Sequence, residues 1–340
     1  MSKIFLQQEF RNIINKLDKF DINDTYDSKN IPKLLKDYFD YYKVFNVLFS
    51  NHKNNIEFTV GKLNTFGYNV VVQLYLPKGK KVNKYLIYTH GYFDHSGVYG
   101  KLITILNKNN IGVVVFDLPG HGLSPGKIAE ISDFGEYVRV LDGVINDFDR
   151  QICVSNKLDN DKDLEFYLMG YSTGAAVVME YLMHNNKLVT NHLIKKVVLC
   201  APLVRIVSWK IGKILLSLLK NITYLKRNYE LGSHDIKFAH FIKYNDPLQG
   251  RYVSVSWIKA MSNWNDRFKY YGINSQVQIG ILQGDADTVV DWHYNVLEIM
   301  RKFPNSRLQY IKGAYHNLLN EDKKYLSIVD NWLIKFLEEN

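Results

Sequence analysis

Glu165-Phe-Tyr-Leu-Met-Gly-Tyr-Ser-Thr-Gly-Ala-Ala-Val-Val-Met-Glu-Tyr-Leu182 is a short apolar run that breaks at Gly170-Tyr171-Ser172-Thr173-Gly174 and resumes with helical spacing. The pattern predicts a strand, a very tight turn and a helix, with a serine at the apex. Glycines two residues either side of Ser172 remove the Cβ atoms that would collide where the chain reverses. The serine can then hold a strained backbone with its hydroxyl presented. The same turn sets the Thr173 amide at a helix N-terminus, aimed where negative charge develops during attack on a carbonyl. G-x-S-x-G alone is weak evidence; its strand-to-helix setting gives it weight.

Working outward, apolar β-branched runs at 56–60, 68–76, 85–88, 112–116, 165–169, 196–199, 277–282 and 307–311 read as strands, separated after residue 85 by amphipathic helices. Near-continuous apolar strands alternating with helices indicate an α/β fold, a mostly parallel central sheet with helices on both faces. In such sheets functional groups gather at the carboxyl ends of strands. Those exits are Thr89-His-Gly-Tyr-Phe-Asp-His95, Asp117-Leu-Pro-Gly-His-Gly-Leu-Ser124, the Ser172 turn, Cys200-Ala-Pro-Leu203, Gly284-Asp-Ala-Asp287 and Lys312-Gly-Ala-Tyr-His316. After the sixth strand the alternation stops for about 70 residues. The boundaries that follow are a helical N-terminal extension at 1–55, a core at 56–201 and 271–340, and a helical lid at 202–270 placed over the strand ends.

Composition bounds the reading. A chain of 340 residues with 46% apolar content buries a full core, as one large domain with an insertion rather than two domains. Asn- and Lys-rich clusters fall between periodic segments and read as solvated loops. Met1 to Phe10 lacks a long apolar signal region, and no run of about 18 uncharged apolar residues occurs, which leads to the expectation of a cytoplasmic protein. Cys153 and Cys200 stand far apart and read as free thiols. Net charge is +9, yet residues 202–270 hold twelve Lys or Arg against four Asp or Glu, a net of +8 from about one fifth of the chain. No nucleic-acid signature accompanies that charge, so no nucleic-acid partner is expected.

A serine hydroxyl needs a base within hydrogen-bond reach, oriented in turn by a carboxylate. Asp287 and His316 stand downstream, each in a loop after a predicted strand. The chain order Ser, Asp, His with the nucleophile on an elbow is that of the α/β-hydrolases. Asp285 is a rival that reads as a turn former, and Asp291 reads as a helix N-cap. His90 and His121 each precede a glycine in tight turns and read as loop pins. A second oxyanion donor beside Thr173 N–H is needed, and the loop after His90-Gly91 makes Tyr92 N–H the candidate. His95 and Tyr171 are expected to contact substrate. No metal or organic cofactor is required by this chemistry.

His90-Gly91, Asp117-x-Pro-Gly-His-Gly-x-Ser124, Gly170-x-Ser-x-Gly174, Ala201-Pro-Leu203, Gly284-x-x-Asp287 and Gly313-Ala-Tyr-His316 together resemble the monoacylglycerol lipase and lysophospholipase branch of the α/β-hydrolases, related to the S33 serine aminopeptidases. Tyr244-Asn-Asp-Pro-Leu248 resembles that branch's lid segment. The resemblance covers roughly residues 56–338 and implies cleavage of a single-chain acyl ester under a mobile lid. Residues 1–55 are less covered and look more like the bacterial lysophospholipases. Tyr92 departs from the small residue common after His-Gly, and its ring would narrow the pocket near the scissile bond.

Within the lid, Val207, Ile211, Ile214, Leu215, Leu218 and Leu219 fall on one side of a helix expected over 203–219, with Trp209 at the boundary. That apolar side is expected to roof the nucleophile, with Trp209 and Leu215 against the acyl chain. The opposite basic side, with Lys210, Lys213 and Lys220, would hold a phosphate headgroup or rest on an anionic membrane; a merely solvated face is the plainer explanation. Rivals on the same scaffold are a short-chain carboxylesterase, a thioesterase, an acyltransferase and a prolyl aminopeptidase, and from another class a non-catalytic lipid-binding protein.

Overall fold

Among the described residues, runs of valine, isoleucine and aromatic residues build ten strands: β1 Ile56–Thr65, β2 Tyr68–Pro77, β3 Lys84–Thr89, β4 Ile111–Phe116, β5 Glu165–Tyr171, β6 Ile194–Cys200, β7 Tyr224–Lys226, β8 Tyr252–Ser254, β9 Gln278–Gly284 and β10 Ser306–Ile311. The computed structural model describes residues 3–26, 31–42, 56–154, 164–184, 194–216, 219, 221–229 and 231–339. Eight strands form one sheet in the order β1-β2-β4-β3-β5-β6-β9-β10, and β7 pairs with β8 separately. Only β2 runs against the rest: it pairs antiparallel with both β1 and β4, and the other six strands pair in parallel with one another. The expected strands fall within these elements except at Val277, one residue before β9, and β1 runs on to Thr65.

Parallel strands this apolar need cover on both faces. One face carries the helices Phe134–Val154, Thr173–His184, Val255–Tyr270 and Trp292–Lys302. The other carries Lys33–Tyr41, Gly100–Lys108 and Lys323–Glu338. Register then decides where chemistry collects: Thr89 is level with Phe116 and Gly170, Tyr171 with Cys200, Cys200 with Leu282, and Gly284 with Ile311. Six strand exits therefore open along one edge.

The N-terminal segment is more than helices. Beside Lys3–Arg11 and Lys33–Tyr41, residues 18–26 pair with the outer edge of β1, where Phe20 N–H donates to Lys62 O at 3.0 Å and Tyr26 N–H to Phe58 O at 2.7 Å. This covers an edge whose groups would otherwise lie open to pairing with another chain. Gly61 makes it possible, since a Cβ there would meet Phe20 Cα at 2.4 Å. Residues 27–30 and 43–55 of the expected helical extension lie outside the described residues.

Between β6 and β9 lie the helices Trp209–Leu216, Ile236–His240 and Val255–Tyr270 and the β7-β8 hairpin. The helix expected over 203–219 is corrected here. Leu203 to Ser208 are not helical: Ile206 bridges to Val290, Arg205 pairs with Asp291 at 2.7 Å, and Ser208 sits at φ +59. Val207, Ile211 and Ile214 face outward, Ile214 being 69% exposed, while Trp209 is the residue buried. Anchoring residues 203–206 to the core turns the helix so that its tryptophan seals inward and the isoleucines look out. The side chain of Leu215, and Leu218 and Lys220, lie outside the described residues.

Candidate active site

The turn after β5 holds Ser172 at φ +51, in the left-handed region, with its N–H donating to Cys200 O at 2.9 Å. Neighbouring glycines are obligatory there. A Cβ on Gly174 would sit 2.0 Å from Thr89 O, and one on Gly170 would sit 2.4 Å from Gly174 O. The helix Thr173–His184 begins at once, so the Thr173 amide is among its unpaired first N–H groups. Thr173 N–H and Tyr92 N–H make no backbone hydrogen bond among the described residues.

The structure brings Ser172, His316 and Asp287 together. Ser172 Oγ lies 3.0 Å from His316 Nε2, and His316 Nδ1 lies 2.7 Å from Asp287 Oδ2. With Nδ1–H donated to the carboxylate, Nε2 is the acceptor facing the serine hydroxyl. Asp287 also accepts from Gln283 Nε2 at 3.1 Å, Val289 N at 2.8 Å and Val290 N at 3.2 Å. Burial pushes its carboxyl up, but the His316 imidazole and these donors outweigh burial and hold it below the usual carboxylate range. Ser172 is 8% exposed and His316 7%, so the cluster is almost closed off.

Neighbours lock the imidazole. The Tyr171 ring lies 5.2 Å from that of His316, and its hydroxyl donates to Asn317 Oδ1 at 2.5 Å. Asn317 N–H donates to Gly232 O at 2.8 Å, joining the histidine loop to the segment between β6 and β9. Tyr171 thus backs the base, with no free hydroxyl donor for a substrate. Gln283 and Asn317 escaped the sequence reading; Gln283 had a signal, a polar side chain closing an otherwise apolar strand.

The three histidines at the first two parallel strand exits are accounted for. His90 Nε2 accepts from Leu118 N at 2.9 Å, and His121 Nδ1 donates to Pro119 O at 3.0 Å, so each pins a loop. Burial, followed by the nearby His121, pushes His90 well down; burial foremost brings His121 to about 4. Both stay uncharged at neutral pH. His95 is corrected as a substrate contact. It has no exposed surface, its Nε2 lies 3.0 Å from Asp246 Oδ2 and its Nδ1 accepts from Gly97 N. Both ring nitrogens are therefore committed to the fold. Asp285 Oδ1 accepts from Gly313 N, and Asp291 caps the helix Trp292–Lys302.

The Tyr92 ring does not intrude on the scissile-bond region as its size suggested. It stacks on Trp257 of the insertion at 3.8 Å, donates through its hydroxyl to Ala129 O at 2.7 Å, and accepts there from Ser254 N. Trp209 lines a cleft with Arg205, Lys210, Lys213, Ile214 and Lys269, a lining that does not include Ser172.

A nucleophile elbow at the exit of a central parallel strand, faced by a histidine and a carboxylate from later strand exits, makes the chain an α/β-hydrolase. It belongs to the serine aminopeptidase S33 family, whose model matches residues 80–323. A monoglyceride lipase homolog of monkeypox virus is 24% identical over 251 residues, covering 72% of this chain and 87% of its own. The phospholipase YtpA of Bacillus subtilis strain 168 is 24% identical over 256 residues, covering 70% and 90%. A soluble variant of the Saccharomyces cerevisiae monoglyceride lipase, solved with a substrate analog, superposes with a TM-score of 0.70 at 17% identity, covering 82% of this chain and 94% of that one.

Proposed function

We propose that this chain is a serine hydrolase cleaving the ester of a single-acyl-chain lipid, a lysophospholipid or a monoacylglycerol, through an acyl-enzyme. The observation that carries the reading is the unbroken contact from Ser172 Oγ through His316 to Asp287. Ser172 gives its proton to His316 Nε2 as its oxygen attacks the acyl carbonyl carbon. The oxyanion is taken by the N–H groups of Thr173 and Tyr92. His316 then passes the proton to the departing alcohol, and water, deprotonated by the same imidazole, frees the fatty acid. Asp287, kept ionised, stabilises the imidazolium between these steps. The lipid side of the reading is supported by the monoglyceride lipase and phospholipase named among its relatives.

The near-closure of Ser172 supports a lid role for residues 202–270: an acyl chain enters only when part of that segment moves. Its outer surface supports peripheral membrane contact, because exposed Ile211, Ile214, Ile222, Leu231 and Ile236 lie among Lys210, Lys213, Lys226 and Lys237. Among the described residues no helix is long and apolar enough to cross a membrane.

Replacing Ser172 by Ala tests the core of the proposal. Turnover of p-nitrophenyl butyrate should fall by about 10⁵- to 10⁶-fold, and fluorophosphonate labelling should vanish. Labelling retained at another residue would sink the assignment. A panel of oleoylglycerol, lysophosphatidylcholine and a prolyl anilide, run on the wild type, separates the lipid reading from an aminopeptidase.

A further inference from the structure

Arg227 follows β7 and continues the hairpin ladder, its N–H donating to Arg251 O at 3.0 Å. Its guanidinium carbon lies 4.1 Å from the centre of the Phe93 ring and 4.4 Å from that of Tyr229. Phe93 is the residue after Tyr92, and it holds φ +68 in the loop assigned to the oxyanion. Gly250 leaves room for that ring, since a Cβ there would come within 2.6 Å of it. The arginine therefore reaches from the insertion to the loop beside the scissile bond.

Among the described residues no carboxylate is in ion-pair contact with it. Nη1 donates to Gln249 Oε1 at 2.6 Å and to Gly250 O at 3.3 Å, both neutral acceptors. No carboxylate oxygen among the described residues lies within 4.0 Å of it. Asp94 and Asp246 are near enough to be felt, but each has another donor: Asp94 accepts from Tyr99 at 2.8 Å, and Asp246 holds His95 at 3.0 Å and Tyr42 at 2.6 Å. Nε and Nη2 make no hydrogen bond to a described residue, and Arg227 as a whole is only partly buried. A part-buried guanidinium, stacked on aromatic rings and offering two donors of its planar fork, matches the oxygens of a phosphate. Stacking and the Nη1 bonds hold the fork in place in advance, so little freedom is lost on binding.

We infer that Arg227 binds the phosphate of a single-chain phospholipid at this site and sets a preference for an anionic headgroup over a neutral glycerol ester. The inference rests on the lipid-hydrolase reading above and narrows it from two substrate classes to one.

The test uses the full-length wild type, R227Q and R227K on 1-oleoyl lysophosphatidate and 1-oleoylglycerol, which differ only by the phosphate. The wild type should favour lysophosphatidate in kcat/KM. R227Q should lower that preference by about 10- to 100-fold, mostly through KM, as expected for a lost hydrogen-bonded charge pair. R227K should fall between them, keeping the charge without the fork. Equal losses on both substrates would mean that Arg227 only packs the hairpin against the loop, and would overturn the inference. So would a wild type that favours the neutral ester. Absence of wild-type esterase activity and of fluorophosphonate labelling would instead overturn the hydrolase reading. Binding of lysophosphatidate to S172A and to S172A/R227Q then decides Arg227 alone: a loss of about tenfold or more in affinity supports it, and equal affinities overturn it.

Discussion

Ser172 combines a left-handed backbone, a buried position and a contact to an imidazole, and each depends on what its neighbours lack. Gly174 packs against the carbonyls of Thr89 and His90, its would-be Cβ falling 2.0 Å from the first. Backbone atoms of a central strand cannot yield as a flexible side chain does. Gly174→Ala should cost about 2–3 kcal/mol or more of stability, measured by denaturant unfolding, with esterase activity lost in parallel. A variant of unchanged stability and activity would show that the elbow is looser than its geometry. The close approach of Gly170 to Gly174 O and Ala175 is by contrast local to the turn, which is why the pentapeptide was readable in the sequence. The environment of His95 was not: its partner Asp246 lies 151 residues away, and nothing in the spacing marks the pair.

At the scale of elements, the N-terminal helix Lys33–Tyr41 is built into the active-site side of the molecule. Tyr42, just past it, donates to Asp246 Oδ1 at 2.6 Å, and Tyr41 donates to Asn245 O at 2.6 Å. Arg11, from the first helix, donates to Gly120 O at 3.2 Å in the loop after β4. Burial would raise the Asp246 carboxyl, but the His95 imidazole paired with it and the donors around it hold it below the usual range. A depressed carboxylate contributes stability above its unfolded pKa of about 3.9, and that contribution is lost as pH falls through the folded value. Tyr42→Phe should therefore cost about 1–3 kcal/mol at pH 7, because a buried charge loses a donor. The deficit relative to wild type should shrink once Asp246 protonates in acid. A penalty that stays constant as pH is lowered all the way to acid unfolding would assign the loss to packing alone.

For the whole molecule, charge and exposed apolar surface coincide on one segment. Ile211 is 62% and Ile214 69% exposed on the same short helix as Lys210 and Lys213. If this face meets anionic membranes, replacing both lysines by glutamine should weaken binding to phosphatidylglycerol vesicles by about 30-fold at low salt, near 1 kcal/mol per lysine. Vesicle binding that ignores these substitutions would leave the face as a solvated surface. The sequence by itself determined the order of strands and helices, the elbow at Ser172 and the exits where polar residues collect, because strand, helix and turn preferences act over a few neighbouring residues. Only the tertiary structure decided which way the 209–216 helix faces, that residues 18–26 cap the edge of β1, that His95 is sealed against Asp246, and that Arg227 lies over Phe93. Those outcomes depend on contacts between segments tens to hundreds of residues apart, where burial and charge choose among partners that local periodicity leaves equivalent.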